Sequence, residues 1–386
     1  MERKIDLPLL RSEMRKVRYP LFSNITILLI QHLLKDTISL IRSFLSLGAN
    51  VITVGIPYWY DENIIKIMRK EGFELYTPKF PPDDCIETVL NQIVDKCRES
   101  RQKFLIVEDG GYAVPLLHTK LQRGLEYCIG AVEQTARGMW RDEDIKGGVS
   151  IPVLTIARSK VKDTIEPLFI GEAVTDNIKM LLKKQGDFIK GKKVIVVGYG
   201  TIGKKIAEEV KRNNAIVKVT ETNPFNQAEA ALSGFETDTL DFLIRDCNII
   251  IGATGKPSIS TALILKARGY LVAISASSRR DEIDMIGLGD LAEENKVSEI
   301  GTEYTLPNKN RVMVLAHGFP VNFFCSDSVP DKAIDPVLTE LFLCVKKLAT
   351  ETLSKGIFKI GVTDDKGASL INEEELITTW QKIFFS

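Results

Sequence analysis

Apolar residues in the first part of the chain follow two alternating periods. Residues 34–47 place apolar side chains at helical spacing, and Gly48 ends this predicted helix just before the apolar run of residues 49–57, which predicts a buried strand. The apolar run that contains His32 is interpreted as helical. The same alternation of helix and strand recurs over residues 61–72, 73–78, 84–100 and 103–111. This order predicts an α/β unit with a parallel sheet.

A second α/β series begins near residue 172. Residues 172–186 have a helical pattern, and they are followed by a strand, a helix and a strand at 191–198, 201–213 and 216–221. Three further apolar runs end in small or turn residues, at 247–255, 270–275 and 311–318. Such alternation is typical of a doubly wound domain.

The order of the elements predicts two domains and a tail, since 386 residues exceed one compact core. Residues 1–171, together with about 331–362, are predicted to form an α/β substrate domain with a parallel sheet. Residues 172–330 are predicted to form a Rossmann domain. The helical segment after Pro330 is expected to return to the first domain, and residues 363–386 are expected to form a C-terminal tail.

The composition excludes several classes of function. Lys plus Arg equals Asp plus Glu at 51 each, whereas a general nucleic-acid binder needs a basic excess. The longest apolar runs are far shorter than the roughly 20 residues of a membrane span. A charged N-terminus without an apolar leader and six cysteines without a Cys-x-x-Cys pair favour a cytoplasmic protein with reduced thiols. The three histidines lie far apart, so no metal site is predicted.

The segment from Lys192 to Glu221 carries a candidate cofactor motif. Gly198-Tyr199-Gly200-Thr201-Ile202-Gly203 is a Gly-x-Gly-x-x-Gly sequence that directly follows a predicted strand and opens a predicted helix. Glu221 ends the next strand, 23 positions after Gly198 (221 − 198). The motif alone is a weak signal, but this context is typical of dinucleotide binding. A flavodoxin-like domain whose glycines only form a turn is the structural alternative.

Each residue of the motif has a physical role. Gly198 permits the tight turn, Gly200 lets a pyrophosphate approach the backbone, and Gly203 lets helix and strand pack closely. Thr201 and Ile202 open the helix, whose N-terminal N–H groups attract the anion. Glu221 can accept both hydroxyls of the adenosine ribose and would repel a 2′-phosphate, so NAD is favoured over NADP.

Later strands of the same series also end in glycine turns. The carboxyl ends of strands form the ligand crevice of a doubly wound sheet. Thr254, in Gly-Ala-Thr-Gly, and the backbone near Ser275 are therefore candidate neighbours of the nicotinamide, and Asn322 is the nearest amide donor after the last strand. Ordinary loop chemistry is an equal alternative for each.

Together, four stretches resemble the adenosylhomocysteinase family. They are IQHLLKDTISLIRSFLSLGANV, VEDGGY, VEQTARG and the series GYGTIGKKIAEEV, VTETNP, GATG and LAHGFPVN. The likeness spans about residues 5–330 and is strong in the cofactor domain. It implies a two-domain α/β enzyme with tightly held NAD⁺ that oxidises the ribose 3′-hydroxyl of S-adenosylhomocysteine, eliminates homocysteine, adds water and restores the hydroxyl. It also implies a small-molecule substrate and a homo-oligomer.

The resemblance assigns roles to individual residues. His32 and Asp109 fall on the family's acid/base residues at the 5′ leaving group. Lys162 aligns with the lysine that helps remove the 3′-hydroxyl proton, and Glu166 takes the place of its aspartate partner. Thr135 matches a threonine beside the nicotinamide and the sugar, and Asn322 matches an asparagine at the cofactor.

The sequence also departs from the family. Gln134 stands where the family has a glutamate of the catalytic site, and Ser277 and Ser278 replace a Gly-His pair over the nicotinamide. Val329 replaces a histidine that meets the adenosine. Further departures are Leu34 for a threonine, Pro167 for an asparagine, and a C-terminal segment without the family's Lys…Tyr tail. The adenosine-recognition set is therefore largely missing.

Structural roles compete with the catalytic ones. His32 is compatible with a core histidine, Asp109 with a turn former and Lys162 with a surface lysine. Three functions follow: an adenosylhomocysteinase-like hydrolase of a nucleoside or thioether, an NAD-dependent oxidoreductase or epimerase acting on a sugar-like hydroxyl, and a catalytically silent NAD-binding regulator. The persistence of redox and elimination residues together favours the hydrolase.

Overall fold

The computed structural model describes residues 7–277, 280–362 and 369–385. The chain divides into two units: the first runs to Glu166 and resumes at Pro330, and the second spans Pro167–Val329. Residues 369–385, which lie in the predicted C-terminal tail of residues 363–386, cluster with the first unit. In the described residues, no helix combines the length and the apolar character needed to cross a bilayer.

Fifteen strands lie in the described part of the chain. They are β1 Ile25–Gln31, β2 Asn50–Gly55, β3 Glu74–Tyr76, β4 Lys103–Glu108, β5 Cys128–Glu133, β6 Pro152–Thr155, β7 Lys193–Val197, β8 Ile216–Thr220, β9 Glu236–Thr237, β10 Ile249–Gly252, β11 Tyr270–Ser275, β12 Glu294–Ser298, β13 Gly301–Thr305, β14 Arg311–Leu315 and β15 Gly356–Lys359.

The same residues contain fifteen α-helices. They are α1 Pro8–Arg15, α2 Lys35–Ser46, α3 Glu62–Lys70, α4 Asp83–Ser100, α5 Ala113–Thr119, α6 Ala136–Glu143, α7 Lys160–Thr164, α8 Glu166–Lys184, α9 Thr201–Arg212, α10 Pro224–Leu232, α11 Leu240–Leu243, α12 Thr261–Ile264, α13 Met285–Leu291, α14 Asp331–Thr350 and α15 Glu373–Phe385.

The first unit is built on a seven-stranded parallel sheet in the order β15-β6-β5-β4-β1-β2-β3. Its interior strand β1 lies between β4 and β2 and corrects the interpretation of the apolar run around His32 as helical. Ile27–Ile30 are fully buried, as expected for an interior strand of a parallel sheet whose two faces are both covered. His32 therefore follows the carboxyl end of a strand.

The second unit is built on an eight-stranded sheet in the order β12-β13-β14-β11-β10-β7-β8-β9. The strands from β14 to β9 are parallel, and β13 joins β14 in antiparallel pairing, as β12 joins β13. The parallel part has the strand order of a dinucleotide-binding domain, with β7 and β10 adjacent where the order reverses. The predicted α/β class and the Rossmann domain are confirmed.

Candidate functional site

The predicted glycine motif lies between β7 and α9 in the second unit. Gly198 has φ +96°, which side-chain-bearing residues rarely adopt, and its N–H donates to the carbonyl of Thr220. A Cβ on Gly203 would overlap the carbonyl oxygen of Gly198. These two glycines are therefore required by the turn itself and by the close approach of the helix to the strand.

Gly200 differs from the other two glycines, because a Cβ there would meet no protein atom within 4 Å. Gly200 is the N-cap of α9, and no side chain caps that helix. Thr201 is exposed and Ile202 half-buried in its first turn. An open backbone at an uncapped helix N-terminus is a suitable cradle for a pyrophosphate, since the N–H groups there carry partial positive charge.

The Glu221 carboxylate at the end of β8 is fixed by backbone donors. Its Oε2 accepts the N–H of Tyr199 at 2.7 Å, and its Oε1 accepts the N–H groups of Thr222 and Asn223 at 2.7 and 2.8 Å. Partial burial opposes ionisation, but these donors outweigh it and lower the pKa of Glu221. The carboxylate is therefore charged and oriented beside the glycine turn, as binding of ribose hydroxyls requires.

Thr254 lies in a turn organised by a residue that the sequence analysis missed. The buried carboxylate of Glu282 accepts the Thr254 hydroxyl at 2.6 Å and its N–H at 3.0 Å, and it also accepts the Gly255 N–H and the Ser258 hydroxyl. The Thr254 hydroxyl oxygen also lies 2.8 Å from the carbonyl oxygen of Lys256, so its single proton is shared between two acceptors within the protein. No short-range pattern links Glu282 to Thr254, which is 28 positions away.

Asn322 is buried after β14, and its Nδ2 donates to the Ser328 hydroxyl at 3.1 Å. The backbone near Ser275 pairs with Pro320, which brings the ends of β11 and of the β14 loop together. The hydroxyls of Ser275 and Ser277 are 3.3 Å apart, and Ser278 lies outside the described residues. The candidate nicotinamide neighbours that follow β11 and β14 therefore lie at one edge of the second sheet.

A second constellation lies at the carboxyl edge of the first sheet. Gln134 follows β5, Asp109 follows β4 and His32 follows β1, and these are three consecutive strands with β4 in the middle. The Gln134 side chain links this edge, since its Oε1 accepts from Gln31 Nε2 at 2.7 Å and its Nε2 donates to Asp109 Oδ2 at 3.4 Å. Gln31 was not singled out in the sequence because its partner is 103 positions away.

Burial dominates the electrostatics of this edge. His32 is buried against the Tyr58 ring, with centroids 5.0 Å apart, and burial lowers the pKa of His32 to about 3. Burial also raises the pKa of Asp109 to about 6; Lys162 opposes this rise, whereas Glu166 and Glu108 add to it. His32 is consequently a neutral imidazole near pH 7, able both to donate and to accept a hydrogen bond.

Lys162 reaches the same edge from the short helix α7. Its Nζ lies 3.2 Å from Glu166 Oε2 and donates to the carbonyl of Gln134 at 3.1 Å, and the side chains of Lys162 and Glu166 are only 11% and 15% exposed. The Lys162 N–H donates to the Ser159 hydroxyl, which in turn donates to buried Glu340 at 2.7 Å. Lys162 is therefore a largely buried lysine whose ammonium group is fixed by two acceptors, and the surface-lysine alternative is excluded.

Comparison with known proteins assigns the second unit to a family. Residues 170–328 match the family described as S-adenosyl-L-homocysteine hydrolase, NAD binding domain. A relative named S-inosyl-L-homocysteine hydrolase, from Methanocaldococcus jannaschii, is 29% identical over 81% of this chain and 75% of its own length. The second unit therefore matches the NAD-binding domain of the adenosylhomocysteinase family, and the whole chain is a divergent relative of that family's members. Its cofactor is NAD.

Two further comparisons concern the family and the fold, respectively. The adenosylhomocysteinase of Thermotoga maritima is 28% identical over 79% of this chain and 75% of its own length. A solved D-3-phosphoglycerate dehydrogenase oxidoreductase from Ralstonia solanacearum has a TM-score of 0.50 at 12% identity, covering 85% of this chain and 96% of that one. The latter likeness shows the fold alone.

Thr135, which the adenosylhomocysteinase resemblance assigns to the cofactor, lies in the first unit at the N-terminus of α6. Its hydroxyl accepts the Gly138 N–H at 3.0 Å and donates to Glu133 Oε1 at 2.7 Å. Thr135 therefore caps a helix in this chain, and only one hydroxyl lone pair is left for a ligand. Its role at the cofactor stays a prediction.

Proposed function

We propose that this adenosylhomocysteinase-family chain hydrolyses a nucleoside thioether of homocysteine with the help of NAD. The observation that carries the proposal is the hydrogen-bonded set at the first sheet's carboxyl edge, in which Gln134 joins Asp109 to Lys162 and Lys162 pairs with Glu166. Relatives named as hydrolases of S-inosyl- and S-adenosylhomocysteine support this substrate class.

The residues that would hold NAD are those of the second unit described above. Gly198, Gly200 and Gly203 would receive the pyrophosphate, and Glu221 would receive the adenosine ribose hydroxyls. Thr254 and Asn322 are the candidates at the nicotinamide end. When bound, NAD supplies reversible oxidation of a secondary hydroxyl, which acidifies the neighbouring C–H bond.

Lys162 is the group proposed to move the proton of that hydroxyl. A lysine can serve this purpose when its ammonium form is neither fully solvated nor locked in a strong surface ion pair. Lys162 Nζ is largely desolvated, is oriented by the Gln134 carbonyl and is compensated by Glu166 at 3.2 Å. In our proposal Glu166 is the partner that holds Lys162 in place.

His32 and Asp109 are the groups proposed to act at the thioether. Elimination of homocysteine requires a proton at the departing sulfur, and addition of water requires a proton acceptor at the same carbon. His32 and Asp109 follow adjacent strands of the sheet and are both nearly buried. The Gln134 side chain donates to Asp109 and therefore orients its carboxyl group, whereas a glutamate at position 134 would repel it.

The test measures thiol release from S-adenosylhomocysteine and S-inosylhomocysteine by the purified NAD-loaded protein. We expect release from at least one of them, and a loss of about 10²–10⁴-fold in kcat for Lys162→Met with NAD content retained. Lys160→Met is the matched control, because Lys160 is exposed on the same short helix, and its activity should stay within about twofold of wild type.

Each alternative function gives a different result. Reduction of bound NAD without thiol release would replace the proposal with an oxidoreductase or epimerase. Stoichiometric NAD with neither reduction nor thiol release, from any nucleoside thioether supplied, would replace it with a silent regulator. Equal activities of the Lys162 and Lys160 variants would refute the role of Lys162.

A further inference from the structure

Three buried carboxyl groups meet directly beneath the proposed catalytic edge of the first unit. Glu108 ends β4, Glu133 ends β5, and Asp142 lies in α6. One oxygen from each lies within 4.8 Å of the other two, and the residues are 0%, 0% and 1% exposed. Glu108 and Glu133 directly precede Asp109 and Gln134 in sequence, so the cluster adjoins two residues of the proposed catalytic edge.

Glu108 and Glu133 each accept three backbone N–H groups, at 2.6–3.2 Å. Glu108 accepts the N–H groups of Tyr112, Ala113 and Val114, and Glu133 those of Gly110, Gly111 and Thr135. Two of their oxygens, Glu108 Oε1 and Glu133 Oε2, each accept only one of these bonds, from Val114 and Gly111. Each of these oxygens therefore has a lone pair left for a further ligand.

Asp142 is the unexplained member of the cluster. Neither of its side-chain oxygens has a hydrogen-bond partner in the described part of the chain, although both are buried. An uncompensated buried carboxylate is costly, and two further carboxyl groups beside it increase that cost. Both oxygens of Asp142 therefore need a partner that carries positive charge.

Arg141 supplies only part of that charge. It interacts electrostatically with Glu108 and Asp142, but its guanidinium lies over the Tyr112 ring and donates to the carbonyl of Gly110. Arg141 makes no hydrogen bond to either oxygen of Asp142. A single proton on Asp142 would satisfy only one of its two oxygens, whereas a cation can bind both.

We propose that Glu108, Glu133 and Asp142 form a binding site for a hard divalent cation of the Ca²⁺, Mg²⁺ and Mn²⁺ class. The donors are oxygens alone, without histidine or cysteine, which is the ligand set that these ions prefer. The cation would tie the loops after β4 and β5 to α6, and it would thereby hold Asp109 and Gln134 in position. The site has a structural role, and its existence does not depend on the proposed hydrolysis.

The test uses the full chain and the metals themselves. Wild-type protein is treated with a chelator, dialysed and titrated separately with Ca²⁺, Mg²⁺ and Mn²⁺, and bound metal is quantified by elemental analysis and Mn²⁺ electron paramagnetic resonance. We expect one ion per chain and a chelator-induced fall of at least about 2–4 °C in the unfolding midpoint of the first unit. Asp142→Asn should weaken binding by at least about 100-fold.

Asp144→Asn is the matched control, because Asp144 is exposed just after the same helix, and its metal affinity should equal that of wild type. Absence of stoichiometric metal and of any midpoint shift in wild type would overturn the proposal, whether or not Asp142→Asn folds. An infrared band of a buried protonated carboxyl that disappears in Asp142→Asn would then assign protons to the cluster. Metal that binds Asp142→Asn as tightly as wild type would place the ion elsewhere.

Discussion

Glu340 provides a quantitative test of how the C-terminal part of the chain supports the lysine of the proposed site. It lies fully buried in α14, accepts the Ser159 hydroxyl at 2.7 Å and faces the carboxyl group of Glu373. Glu373 accepts the Val161 N–H at 3.1 Å. These contacts hold the start of α7, the helix that carries Lys162. Glu340→Gln keeps the shape and the acceptor for Ser159 and removes the ionisation.

The structure gives both the sign and the size of the effect. Burial raises the pKa of Glu340 from 4.5 to about 8; Ser159 and Lys162 oppose the rise, and Glu373 adds to it. Between these values the folded state holds a proton that the unfolded state has lost, so wild-type stability falls as pH rises from about 4.5 to 8. The full pKa shift of Glu340 corresponds to about 5 kcal/mol in the free energy of unfolding. Sharing of the proton with Glu373 reduces this contribution to about 2–5 kcal/mol.

The assay is urea unfolding followed by tryptophan fluorescence between pH 5 and 9. All three tryptophans, Trp59, Trp140 and Trp380, lie in the first unit, so the signal reports on that unit. We expect the two proteins to agree near pH 5 and Glu340→Gln to be more stable by about 2–5 kcal/mol at pH 9. Other buried carboxyl groups are common to both proteins, so the difference isolates Glu340.

Glu374→Gln is the control for this measurement, because Glu374 is exposed beside Glu373 in the same helix. Its stability curve should run parallel to that of wild type. A constant difference between wild type and Glu340→Gln over the whole pH range would refute the reasoning, since it would show that the Glu340 proton is not retained by folding. A wild type that is more stable than Glu340→Gln at pH 9 would show that the predicted effect has the wrong sign.

The remaining predictions concern the cofactor and the thioether step. Gly200→Ala should weaken NAD binding in a fluorescence titration and leave the unfolding midpoint unchanged, because its Cβ meets no protein atom. Gly203→Ala should lower both the affinity for NAD and the unfolding midpoint, because its Cβ overlaps the carbonyl oxygen of Gly198. Glu221→Gln should weaken NAD binding about tenfold and reduce the preference over NADP, measured by competition. His32→Asn should retain NAD but lower thiol release about 10²–10⁴-fold; an unchanged rate would contradict its role.

The NAD-binding unit could be predicted from the sequence because its signal is local. A strand, Gly198 to Gly203 and a helix are consecutive, and Glu221 ends the next strand. By contrast, β1 was misinterpreted as helical, since a short apolar run carries no period that separates a buried strand from a helix. The pairing of β1 with β2 and β4 decides its structure, and these partners are distant in sequence. Because β1 is a strand that ends at Gln31, His32 lies at the carboxyl edge of the first sheet.

The polar residues that support the two edges could not be predicted for the same reason. Gln31, Glu282 and Glu340 act on partners 103, 28 and 181 positions away, and each has the appearance of an ordinary polar residue in sequence. The spacing of the three histidines predicts no metal site, whereas the candidate cation site consists of carboxylates at the ends of β4 and β5 and in α6. Parallel strands bring such ends to one edge, so an acidic residue that ends an apolar strand deserves consideration together with those of its neighbouring strands.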